Sequence, residues 1–85
     1  MLKVTLYTKE DCTLCDAVKG YLILRQRVYP HELVEIDIAQ DPQLLAYYRF
    51  IIPVVDVGDV RLKAPIHFGD LNAALKAASD DCVRP

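Results

Sequence analysis

Val4-Thr5-Leu6-Tyr7-Thr8-Lys9-Glu10-Asp11-Cys12-Thr13-Leu14-Cys15 is the stretch on which the fold of this chain turns. Its first half is a short apolar run with strand character. Its second half opens a segment whose apolar residues recur at helical spacing. A Cys-x-x-Cys pair at a strand-to-helix turn is the arrangement that thiol–disulfide chemistry uses. The two sulfurs stand one helical turn apart, so a disulfide can close with little backbone movement. The positive end of the helix favours a thiolate on the first sulfur.

Cys12 is therefore the expected nucleophile. Cys15 is the expected resolving thiol, which attacks the mixed disulfide that Cys12 forms. Inert reduced cysteines and half a zinc site are the other uses of such a pair. Zinc ordinarily takes four ligands, and only Cys82, His31 and His67 remain, none in a second tight pair. No resident metal or tightly bound cofactor is expected. Cys82 lies off any motif and reads as a free thiol open to intermolecular oxidation. Lys9 could stabilise the Cys12 thiolate or meet a carboxylate of the thiol partner, or be a solvated lysine before a helix.

Working outward, residues 3–8 read as a strand covered on both faces. A helix follows from Thr13 to Arg27, with Leu14, Val18 and Leu22 on one line and Ala17, Tyr21 and Leu24 on the next. Gly20 inside it costs about 1 kcal/mol relative to Ala, a cost that close helix–sheet approach would explain. Tyr29-Pro30 ends the segment. His31 to Ile38 is the second strand. Asp41-Pro42 marks a helix start, with Leu44, Leu45, Tyr48 and Tyr47 toward the interior. That helix stops before Ile52, because Pro53 disfavours helical geometry in its predecessor. Pro53–Val57 and Val60–Lys63 flank Gly58-Asp59, a hairpin signal. The last helix runs from Asp70, as cap, to Ser79, and residues 80–85 read as a fraying tail. The order is β-α-β-α-β-β-α: an α/β fold with a four-stranded mixed sheet and helices on both faces.

Eighty-five residues make one small domain, residues 1–85, and 53% apolar content suits the packing that so short a chain needs. Three cysteines are too few for a disulfide-stapled secreted scaffold. The N-terminus has no signal-peptide pattern, and no apolar run approaches the roughly 20 residues of a membrane span. A reducing cytoplasm is the expected compartment. A net charge of −2 with scattered basic residues gives no nucleic-acid footprint. A monomer without membrane or nucleic-acid partners is expected.

The order of elements, with Cys-x-x-Cys after the first strand and Ile52-Pro53 before the third, resembles the thioredoxin superfamily, and more closely its glutaredoxin-like branch. Thr8 to Cys15 is similar to that family's Lys-x-x-Cys-x-x-Cys opening, and Ala17, Lys19 and Leu22 to its first helix. Ile52-Pro53-Val54 stands where the family has Val-Pro, with a cis proline facing the cysteines. Gly69-Asp70-Leu71 stands where the family has a Gly-rich turn and an Asp at the last helix. The run from Ile36-Asp37-Ile38 to Ile52-Pro53-Val54-Val55 looks like a compact bacterial subgroup of glutaredoxin-like proteins.

The resemblance implies a disulfide oxidoreductase exchanging two electrons with protein disulfides or glutathione, which would be a co-substrate. With Pro53 cis, the carbonyl and N–H of Ile52 would be free to pair with an extended substrate. Asp70 would hold the amino group of a γ-glutamyl moiety, and Arg49 would reach a glutathione carboxylate. Three features depart from the family. Cys-Thr-Leu-Cys replaces Cys-Pro-Tyr-Cys, a single glycine, Gly69, follows the bulky Phe68, and Glu10, Asp11 and Asp16 surround the cysteines against Lys9 and Lys19. That negative field works against glutathione capture and thiolate formation. Two rival functions are a non-catalytic thioredoxin-fold module binding a protein beside Pro53 and a dimer bridged by cysteine-held zinc or iron–sulfur.

Overall fold

Alternation along β1 (Leu2–Thr8) puts Val4 and Leu6 fully inside on one face and half-buries Thr5 and Tyr7 on the other. The structure is a computed structural model that describes residues 1–82, with side chains through residue 80. β1 lies between β2 (His31–Asp37), its parallel neighbour with Val4 opposite Leu33, and β3 (Val54–Val57), antiparallel with Leu6 opposite Val55. β4 (Val60–Lys63) pairs with β3, which gives the sheet order β2-β1-β3-β4. A parallel pair needs a crossover, and α1 (Thr13–Arg25) supplies it. Gly58 opens the β3–β4 turn at φ +58, the conformation a two-residue hairpin asks of its first loop position.

The sheet carries a core on each face. Val4, Leu6 and Val55 pack with Val18 and Leu22 of α1 and with Leu71 and Leu75 of α3 (Phe68–Cys82). Ile38, Tyr48 and Val54 form the second core, flanked by Tyr7, Leu44 and Leu45. Each such side chain, once fully buried, contributes about 1.5–3 kcal/mol. α2 (Pro42–Tyr48) covers this second face. It starts where Asp41 accepts the N–H groups of Gln43 at 2.8 Å and Leu44 at 3.4 Å, with Pro42 in the first turn.

The structure corrects several boundaries. β2 ends at Asp37, because its carboxylate takes the Ala39 N–H at 2.9 Å and starts a 3-10 turn, Ile38–Gln40. α1 ends at Arg25, two residues before the expected Arg27, and the Arg25 carbonyl then accepts from Val28 and Tyr29 in a turn. Pro30 disfavours helical geometry in its predecessor, so the helix does not resume beyond this turn. The buried line of α1 is Cys15, Val18 and Leu22, while Leu14 and Leu24 are 64% and 74% exposed. Gly20 is exposed and a Cβ there would touch nothing, so close approach does not account for it. Tyr47 points outward, at 66% exposure.

α3 starts two residues earlier than expected. Leu71 donates its N–H to the His67 carbonyl at 3.1 Å, which places Asp70 inside the first turn and not at the cap. There its carboxylate still complements the positive helix end. Residues 80–82 continue α3 where a fraying tail was expected, and residues 83–85 lie outside the described residues.

Candidate active site

Cys12 occupies the N-cap of α1 in extended geometry, φ −104 and ψ 98. Its carbonyl accepts the Asp16 N–H at 3.0 Å and its sulfur accepts the Cys15 N–H at 3.1 Å. Cys12 and Cys15 are joined as a disulfide with their Cα atoms 5.2 Å apart. Cys12 is half-buried and Cys15 is 1% exposed, so solvent and other molecules meet the Cys12 sulfur first. Asp11, just before it, adopts φ +60, the left-handed region that Asp enters more readily than most residues. That residue turns the chain from the end of β1 into the cap. Sequence reading missed it, although Asp at a strand-to-helix turn is the available signal.

Pro53 is buried, and the Ile52–Pro53 peptide is cis, as is Ala64–Pro65. The Ile52 N–H is not free for a substrate: it donates to the Tyr48 carbonyl at 3.1 Å, closing the end of α2. Pro53 forms part of a half-open groove of about 180 Å³ with Leu14 and Ala17 of α1 and with Ile66 and Phe68. Every side chain lining this groove is apolar. Phe68 stacks on Tyr21 of α1, ring centroids 4.5 Å apart and planes 19° from parallel. A binding groove beside Pro53 was expected, but its apolar lining and the Phe68–Tyr21 stack were not, since each joins residues far apart in the chain.

The remaining candidates sit as follows. Lys9, Glu10, Asp11 and Asp16 are exposed around the cysteine pair. Lys19 is turned to Glu35 of β2 at 3.3 Å. Gly69 and Asp70 are exposed in the first turn of α3, and a Cβ on Gly69 would meet open space. The Arg49 guanidinium lies 4.6 Å over the Phe50 ring. His67 is exposed. His31 is buried, and its Nδ1 lies 2.7 Å from the Tyr29 carbonyl, to which it donates. Cys82 is the last residue of α3, and its side chain lies outside the described residues. Among the described residues no group of three His, Cys, Asp or Glu could hold a metal ion, and no helix is long and apolar enough to cross a membrane.

The opposite sheet face carries a polar cluster that sequence reading did not single out. Tyr7 stacks on Tyr48 at 4.4 Å, and the Arg61 guanidinium lies 5.5 Å from both rings. Asp56 fixes that guanidinium through two hydrogen bonds, 2.7 and 2.9 Å. Burial pushes the Tyr7 phenol above its usual range, and Tyr48 and Asp56 add to the effect against Arg61. The Asp56 carboxylate holds Arg61 more firmly charged still.

The Glutaredoxin-like domain model matches residues 3–76 of this chain. No protein of curated function matches it. Among solved structures, the Northeast Structural Genomics target protein XcR50 from X. campestris is 28% identical, with a TM-score of 0.72 over 87% of this chain and 96% of that one. The glutaredoxin-like protein NrdH-redoxin from Escherichia coli is 25% identical, with a TM-score of 0.53 over 71% and 79%. Thioredoxin 1 from Thermosipho africanus, at 15% identity, reaches a TM-score of 0.75 over 96% and 99% and speaks for the fold alone.

Proposed function

The chain belongs to the Glutaredoxin-like domain family, and from that membership we propose that it is a thiol–disulfide oxidoreductase working through Cys12 and Cys15. The observation that carries the reading is the asymmetry of the pair: Cys12 is half-buried at a helix N-cap, and Cys15 is sealed behind it. An incoming disulfide meets Cys12 first. In the reduced protein, the Cys12 thiolate attacks one substrate sulfur; the substrate S–S bond breaks and one thiolate leaves, taking a proton. Cys15 then loses its proton and attacks the Cys12 sulfur. The Cys12–Cys15 bond forms and the second substrate thiolate departs. Two electrons pass from the pair to the substrate. A thiol from outside, glutathione or a protein dithiol, returns them by the reverse exchange.

The helix start supports the first step: the Cys15 N–H already points at the Cys12 sulfur and would bond a thiolate there. Protein disulfides and glutathione disulfide are both candidate substrates. The described thioredoxin-like activity profile of NrdH-redoxin favours the former. The apolar groove would serve a non-catalytic binding module as well, so the exchange itself must be tested. With Cys15→Ser, reduced protein mixed with a disulfide should hold a mixed disulfide at Cys12, seen by mass spectrometry. Wild type should instead release both substrate thiols. If neither protein reacts with any disulfide, the redox reading fails.

A further inference from the structure

We propose that Phe68, backed by Tyr21, decides which disulfides this site reads: those in which an apolar side chain adjoins the reactive cysteine within a neutral or basic segment, in preference to glutathione disulfide. The proposal rests on the redox reading above and names its substrate class. The groove beside Pro53 holds about 180 Å³, and an apolar cavity of about 150 Å³ accommodates a benzene. One leucine or aromatic side chain therefore fits it. Phe68 is 42% exposed and is held as a wall by its stack on Tyr21. Leu14, between the two cysteines in the chain, forms part of the lining, so the groove adjoins the segment that carries the reacting pair.

Charge points the same way. No cation lines the groove, and three exposed carboxylates, Glu10, Asp11 and Asp16, flank the cysteines. Lys9 opposes them, while Lys19 is engaged by Glu35. Glutathione brings two carboxylates and an ammonium per molecule. A carboxylate pressed against this lining would be desolvated without a partner, and it would be repelled by the carboxylates that flank the cysteines. A lysine or arginine on the far flank of a peptide cysteine would instead be attracted.

The experiment measures the rate at which three disulfides oxidise the reduced protein. They are a symmetric peptide disulfide with Leu beside Cys and Lys on the other flank, the same peptide with Ser for Leu, and glutathione disulfide. Wild type should favour the Leu peptide over the Ser peptide by about tenfold or more, the range a filled hydrophobic pocket commands, with glutathione disulfide slowest. Phe68→Ala should bring the Leu/Ser ratio toward unity, and 2-hydroxyethyl disulfide, which carries no side chain for the groove, serves as the control oxidant of the wild type. Ala17→Leu, at an exposed position in the groove lining, should fill the groove and erase the same preference without relying on Phe68. Equal rates for the two peptides in wild type, or an unchanged ratio in both variants, would overturn the proposal. Oxidation by none of the disulfides, 2-hydroxyethyl disulfide included, would instead overturn the redox reading itself.

Discussion

Cys15 donates its backbone N–H to the sulfur of Cys12 at 3.1 Å, so the buried member of the pair caps the helix through the accessible one. The same bond that would stabilise a thiolate also satisfies one of the helix's unpaired N–H groups.

That double role predicts a stability order under reducing conditions. Cys12→Ser keeps a capping oxygen and Cys12→Ala removes the cap, so the serine variant should be the more stable by about 0.5–2 kcal/mol. Urea midpoints of the two reduced variants check this; equal midpoints would remove the cap from the account.

The carboxylates before the pair should act on the thiol. Replacing Glu10 with Gln and Asp11 with Asn removes two negative charges next to Cys12, and Asn keeps the tolerance for positive φ that position 11 needs. Cys12 should then ionise at lower pH, because like charge disfavours the thiolate. Thiolate ultraviolet absorbance followed against pH in a Cys15→Ser background reports it. The difference should shrink as salt is added.

Helix α1 separates two leucines that look alike in sequence. Leu22→Ala removes a fully buried side chain and should cost about 2–5 kcal/mol. Leu24→Ala, at 74% exposure, should stay within about 0.5 kcal/mol. Denaturant unfolding of both decides whether the helix face is assigned correctly.

Tyr7 makes alkaline stability a test of the second core. Its folded-state pKa lies above the ordinary tyrosine value of about 10, so the fold favours the protonated phenol. The stability linked to this group is fully present below about pH 10 and is lost as pH rises through the folded-state value. Tyr7→Phe should flatten the decline of the urea midpoint above pH 10, and an unchanged slope would show that other groups cause it.

Much of the architecture was legible because its causes are short-range. Alternation in Val4 to Tyr7, Asp41 ahead of Pro42, Gly58-Asp59 between two branched runs and the Cys-x-x-Cys spacing each act over a few residues. The start of α3 misled for the same reason. Asp70 is a good cap in isolation, but Phe68, stacked on Tyr21, lies inside the helix, and the His67 carbonyl takes its first bond.

By itself, the sequence determined the order of elements, the sheet they form and the pair of sulfurs at the mouth of α1. Periodicity, caps and turn residues are local and survive in any compact arrangement of the chain. Only the tertiary structure decided that Leu14 is largely exposed, that the Ile52 N–H is consumed by Tyr48, and that Phe68, stacked on Tyr21, walls an apolar groove beside Pro53. Those outcomes, with Tyr21 only backing Phe68 and not lining the groove, depend on how α1, α2 and α3 settle against the sheet. Many side chains far apart in the chain set that packing jointly, and no short stretch encodes it.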